Sequence, residues 1–202
     1  ALYSSDALFD TLDEMVEEGR MKAYGVSVET CDEALAAIAR PHVASIQIIL
    51  NAFRRKPLEQ VLPAALAAGV GIIARVPLAS GMLTGRYDES TTFAADDHRA
   101  YNRHGEFFDK GETFSGVPYE VGIAAAREVA ALAPAGVTTA QLALRWIIDQ
   151  PGVSVVIPGA RNGDQTRANA EAAAVPPLDT AILSAIEAIY DKRIRPHVHD
   201  LW

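Results

Sequence analysis

Ser45-Ile-Gln-Ile-Ile-Leu50, then Leu58 to Ala68 closed by Gly69, then Gly71-Ile-Ile-Ala-Arg-Val76 before Pro77, is the stretch from which the fold is read. Its first and last segments are short, rich in β-branched residues and almost continuously apolar, which predicts strands of a buried parallel sheet. The Ala- and Leu-rich segment between them has the length of a helix. Gly69 follows it, and glycine takes the left-handed conformation that ends a helix at no steric cost. Parallel neighbours need a crossover of a dozen or more residues, and this stretch supplies one.

The same unit extends outward in both directions. Upstream, Asp6 to Glu18 carries Leu8, Leu12, Met15 and Val16 at helical spacing and is followed by Gly19. Ala23-Tyr-Gly-Val-Ser-Val28 reads as a strand, and Thr30 or Asp32 caps a helix from Glu33 to Ala39. Downstream the pattern breaks. Gly81 to Val117 shows no period, and a loop of that length is either functional or disordered. Helices resume at Tyr119 to Leu132 and at Thr138 to Asp149, the latter capped by Thr138 or Thr139. Gly152-Val-Ser-Val-Val-Ile157 gives a fourth strand, with helices predicted from about Gly163 to Ala174 and from Asp179 to Tyr190. The tail from Arg193 to Trp202 reads as extended, and all four strands read as buried.

Composition narrows the classes. Of 202 residues half are hydrophobic, and the formal net charge is −8 without a basic stripe, which argues against a nucleic-acid partner. Arg54-Arg55-Lys56 is the densest basic run and reads as a solvated loop or helix start, and Asp96-Asp97-His98 reads as solvated too. No apolar run has the length of a bilayer span, so no membrane partner is expected. The first residues, Ala-Leu-Tyr-Ser-Ser-Asp, lack the layout of a signal peptide. A single cysteine, Cys31, cannot form an internal disulfide, and a cytoplasmic setting is expected. His197 and His199 lack a third ligand, so no metal site is predicted.

Strands alternating with helices predict a parallel sheet covered by helices. No Gly-x-Gly-x-x-Gly turn follows a strand, which disfavours the doubly wound dinucleotide fold and leaves a barrel as the better reading. Such a barrel needs eight strands in about 250 residues. Only four are legible.

Four blocks in order carry a family resemblance: Gly25-Val26-Ser27; Gln47 within the second strand; Arg75-Val-Pro-Leu-Ala-Ser-Gly-Met-Leu-Thr-Gly-Arg-Tyr87; and Val156-Ile-Pro-Gly-Ala-Arg161 with Gln165 and Asn169. With the tail Ile194 to Trp202, the sequence resembles the aldo-keto reductases, bacterial type. The resemblance implies an α/β fold that is the C-terminal half of a (β/α)8 TIM barrel. Strands five to eight and their helices, with a long loop after strand seven, would span residues 1–202 and form the nicotinamide-cofactor-binding portion.

It implies NADP as cofactor and a small-molecule carbonyl as substrate, within an oxidoreductase that reduces aldehydes or ketones to alcohols. Ser27 and Gln47 would hold the nicotinamide carboxamide. Arg75 would stack on the ring as a planar surface or pair with a nearby carboxylate. Leu78, Ser80, Gly81 and Leu83 match the segment that wraps the pyrophosphate, where small residues let backbone amides approach anionic oxygens. Gly159, Ala160 and Arg161 precede a helix start, a natural anion site, and Arg161 suits a 2′-phosphate. Gln165 and Asn169 would face the adenosine, and Trp202 would cap the pocket.

The family's acid is a Tyr supported by Lys, Asp and His on the other half of its barrel, and none of the four is assigned here. No catalytic residue is therefore named, and the chain alone is expected to be inactive. The alternative is a noncatalytic cofactor-binding or regulatory module on the same fold. A second half-barrel, either an N-terminal piece or its own copy, is the expected polypeptide partner, because open strand edges invite pairing.

Overall fold

Residues paired across a parallel sheet share a face, so the register fixes what each strand shows to either side. The computed structural model describes Tyr3 and residues 5–202. Strands β1 (Tyr24–Ser27), β2 (Val43–Ile49), β3 (Gly71–Arg75) and β4 (Val153–Val156) lie side by side in chain order, all parallel. One set of rows, including Ile46 with Ile72 and Ile48 with Ala74, is buried. The opposite rows run Gly25–Ser45–Gly71 and Ser27–Gln47–Ile73–Val155. These are small or polar at most positions, and Gly25, Ser27 and Val155 are exposed. Helices therefore cover one face of the sheet and leave the other open.

The helices begin and end where local chemistry dictates. Helix α1 is Asp6–Glu17 and α2 is Cys31–Ile38. Thr30 caps α2 by accepting from the Glu33 amide at 3.1 Å, while the Glu33 carboxylate accepts from the Thr30 amide at 3.2 Å. A reciprocal cap of this kind is worth about 1 kcal/mol. Helix α3, Val61–Ala68, ends on Gly69 at φ 71°, the left-handed value its lack of a Cβ permits. After β3 the chain makes tight turns at Ala79–Thr84, Lys110–Glu112 and Phe114–Gly116, with a short helix α4 at His98–Tyr101. Helices α5 (Tyr119–Ala130) and α6 (Thr139–Ile148) precede β4, and α7 (Gly163–Glu171) and α8 (Thr180–Ile189) follow it. Thr138 caps α6 in the same reciprocal way with Gln141. Trp146, Tyr190, Phe53 and Phe114 are the largest side chains of the core that these elements close.

Several expectations are corrected. The C-terminal half of a (β/α)8 barrel is not what the described residues form. They make one open four-stranded sheet within a compact α/β fold, and β1 and β4 are its two edges. The barrel reading completed a strand count from resemblance, whereas hydrogen bonding stops at four strands. Nor are all four strands buried: the edge strands keep Ser27, Ser154 and Val155 exposed. The long aperiodic segment is ordered by side-chain bonds to its own backbone. The tail is helical, with a wide turn at Tyr190–Ile194 leading into α9 at Arg195–Val198. Within it His199 bridges the Tyr190 hydroxyl at 2.7 Å and the Glu59 carboxylate at 3.0 Å. Burial pushes the Tyr190 phenol up to about 12. Arg54, read as solvated, is buried and donates to the Glu29 carbonyl at 2.6 Å. No helix among the described residues is long and apolar enough to cross a membrane.

Candidate functional site

Strand β3 ends at Arg75 and the backbone turns sharply. Val76, Ala79 and Ser80 all take positive φ, at 51°, 48° and 56°, followed by Gly81 at 94°. A β-branched residue at positive φ is a conformational outlier costing on the order of 1–3 kcal/mol, and it persists only where its surroundings fix it. Here they do. The buried Asn51 amide donates to the Val76 carbonyl at 2.9 Å and to the Ser115 hydroxyl at 2.8 Å. Ser115 sits in a second strained run, Phe114 to Gly116, also at positive φ. Ser80 ties the two turns together, donating to the Glu112 carbonyl at 2.9 Å and accepting from the Phe114 amide at 3.0 Å.

These turns form one wall of a cavity of about 1630 Å³ at the C-terminal ends of β3 and β4. Ligands of parallel α/β sheets bind at that end of the strands. Of the residues expected from the sequence, Leu78, Ser80, Gly81, Gly159, Ala160, Arg161, Gln165 and Asn169 line this one cavity. Four do not. Ser27 and Gln47 pair with each other on the open face of the sheet, hydroxyl to carboxamide oxygen at 3.4 Å. The Leu83 side chain is buried in the core. Arg75 is 8% exposed, donating to Glu29 at 2.5 Å, to Glu112, and to the Val28 carbonyl at 3.0 Å. Of its two sequence readings, the ion pair is therefore the one present.

The amides expected to face a pyrophosphate are already engaged. Gly81 and Leu83 both donate to the Leu78 carbonyl, at 2.9 and 3.1 Å. The opposite end is more open. Asn162 caps α7 through the Gln165 amide at 2.9 Å, and the Gln165 side chain accepts from the Arg161 amide at 2.7 Å. Asn169 donates to the Gly159 carbonyl at 3.3 Å, and a side chain at Gly159 would meet nothing within 4 Å. Arg161 is exposed and makes no ion pair among the described residues, whereas Arg167 is held by Asp164.

Other cavity residues escaped the sequence reading. Asp97, His98 and Arg99, read as solvated or not remarked, line it together with Arg86 and Tyr87. Arg99 grips Asp97 through two nitrogens, lies 4.7 Å from the Phe93 ring centre and donates to the Tyr87 oxygen. The guanidinium's hydrogen bonds hold the Asp97 carboxyl well below its usual range. Tyr87 also donates to the Ser80 carbonyl at 3.3 Å, so this loop is fastened to the strained turn. At the far end Glu29, Asp109 and Glu112 present carboxylates. Burial pushes the Glu29 carboxyl upward against the opposing pull of Arg75. Trp202 lies behind Asp109, donating to both its oxygens at 3.1 and 3.2 Å, with the Arg54 guanidinium 3.8 Å from the ring centre. The sequence signal for Glu29 was its place two residues beyond Ser27 at the end of β1. The loop acids carried none.

With the fold and cavity described, kinship can be stated. The model of the Aldo/keto reductase family matches residues 3–191, and the chain belongs to that family of oxidoreductases. It is 32% identical over 167 residues to Aldo-keto reductase YhdN of Bacillus subtilis (strain 168), covering 80% of this chain and 47% of that protein. The glycerol dehydrogenase AKR11B4 from Gluconobacter oxydans superposes with a TM-score of 0.70 at 26% identity, covering 95% of this chain and 54% of that one. An aldo-keto reductase from Klebsiella pneumoniae in complex with NADPH gives a TM-score of 0.61 at 24% identity, over 90% and 52% of the two chains. The chain spans about half the length of the curated relatives it matches. Family match and superposition both run along nearly all of the chain as one α/β unit, and the assignment to strands five to eight of a barrel is withdrawn.

Proposed function

We propose that this chain binds NADP in the cavity at the ends of β3 and β4 and supplies the cofactor site of an aldehyde or ketone reductase. The observation that carries the reading is the free Arg161 beside Gly159 and Ala160, at the start of α7 and facing the same cavity as the strained turn after β3. Exposed amides and the positive end of a nine-residue helix favour an anion there. Gly159 lets a ligand approach the backbone closely. The donor set suits phosphate better at this end than at Gly81 and Leu83, whose amides are engaged. The Klebsiella neighbour binds NADPH, which is consistent with the same cofactor here.

NADP, when bound, supplies the hydride. The chain's own residues bind and orient it: Arg161 at the 2′-phosphate, Gln165 and Asn169 beside the adenosine, and the Leu78–Gly81 turn along the middle. We assign no catalytic residue, and the chain alone is proposed to hold the cofactor without completing the reaction. Changing Arg161→Ala should weaken NADP binding by about 1.5–3 kcal/mol, the scale of a hydrogen bond to a charged group, and leave NAD nearly unchanged. Calorimetric titration with both cofactors decides it. Equal losses for the two would give Arg161 a structural role.

We further propose that a second polypeptide, another copy or another chain, covers the open face and edges of the sheet. Parallel sheets are normally covered on both faces. Residues 152–159, which include β4, carry no charge to discourage pairing. The mass of the purified species in solution should exceed that of one chain. A stable monomer at micromolar concentration would refute this.

A further inference from the structure

The cavity is electrically polarised along its length. At one end Arg161, Arg86 and His98 line it, with Arg99 held by Asp97. At the other end Glu29, Asp109 and Glu112 line it. The guanidinium groups that balance those acids stand behind them: Arg75 is 8% exposed and Arg54 3%. Arg75 is gripped by Glu29 and Glu112, and Arg54 lies against Trp202 and the Glu29 carbonyl. A ligand entering this end meets carboxylate oxygens first. Among the described residues, one oxygen of Glu29, Oε2, is buried without a hydrogen-bond partner. Buried acceptors left in that state favour a positive or hydrogen-donating neighbour.

A ligand complementary to such a cavity is anionic at one end and cationic at the other. Nicotinamide cofactors have that character in one redox form only. Their phosphates are anionic in both forms, but the ring is a cation when oxidised and neutral when reduced. Building on the cofactor reading above, we propose that Glu112, together with Glu29, makes this cavity favour the oxidised cofactor, by presenting negative charge where the ring would lie. A planar aromatic floor would stack on either form and discriminate less. Here the acids are also fixed. Glu112 is anchored by Arg75 from behind, and its backbone carbonyl accepts from Ser80. The negative wall therefore costs little rearrangement when a ligand arrives.

Three ligands test this: NADP+, NADPH, and 2′,5′-ADP, which carries the phosphates of the adenosine end and no ring. Each is titrated by calorimetry into the purified protein and into its Glu112→Gln variant. Removing one negative charge near the ring should raise the ratio Kd(NADP+)/Kd(NADPH) by about fivefold or more, a modest Coulomb effect at the edge of a protein. Affinity for 2′,5′-ADP should stay as it was. Because the ratio is taken within one variant, a general loosening of the loop cancels from it. An unchanged ratio overturns the proposal, even where all three affinities fall together. Glu29→Gln should move the ratio in the same direction, and a shift the opposite way in either variant also overturns it. Failure of 2′,5′-ADP to bind the unaltered protein would instead overturn the cofactor reading itself.

Discussion

Trp202→Ala is expected to lower stability by about 3–5 kcal/mol, the range for truncating a large buried aromatic side chain. For a chain of this length that is a fall in melting temperature of roughly 10 °C. The loss has three parts. The indole fills space against Gly111 and Gly116, where any added Cβ would collide with it. It stacks on the Arg54 guanidinium, whose desolvation already lowers that group to about 10 and whose Nη1 has no partner among the described residues. It also donates to Asp109 in the cavity wall. Trp202→Phe keeps the stacking and most of the volume but not the donor, so it should cost clearly less. Urea unfolding of the three proteins decides the matter, and a Trp202→Ala loss below about 1 kcal/mol would show that the tail packs elsewhere.

The purified chain, supplied with NADPH and a reactive aldehyde such as nitrobenzaldehyde, is expected to oxidise the cofactor no faster than a protein-free blank. Carbonyl reduction needs a proton donor within hydrogen-bond reach of the developing alkoxide, and preorganised polarity supplies much of the rate. Tyr87 is the tyrosine that lines the cavity among the described residues, and its oxygen is engaged by Arg99 and the Ser80 carbonyl. A rate several orders of magnitude below that of a full-length relative assayed alongside is the expected outcome. Sustained turnover by the mass-verified chain would sink the prediction, and Tyr87→Phe would then show whether that phenol is the acid.

Where one local signal sufficed, the sequence was a good guide. Apolar runs marked β2 and β3, Gly69 marked the end of α3, and Thr30 and Thr138 marked the starts of α2 and α6. The eight cavity residues read correctly all lie directly after a strand, where position along the chain nearly determines position in space. Failures came where the outcome depends on distant groups. Nothing local announces that Val76 and Ser80 adopt positive φ, because Asn51 and Ser115, remote in sequence, impose it. Arg54 and Asp97 looked solvated because charge usually is, yet Trp202 covers one and Arg99 ties down the other. The barrel itself was an extrapolation beyond the strands that the chain supplies.

The sheet's last pairing has a consequence for how the molecule is made. Strand β3 ends at Arg75 and its neighbour β4 begins only at Val153. A ribosome adds about 5–20 residues each second, so β3 waits on the order of ten seconds for its partner during synthesis. Through that interval the backbone of Ile72, Ile73 and Ala74 has a free edge, with α5 and α6 still to be made. The nascent chain passes through a three-stranded stage, and closing so distant a pair is a slow step by its topology. Yield on expression should therefore respond to translation rate and to helpers that shield nascent strands, even where the finished protein is stable.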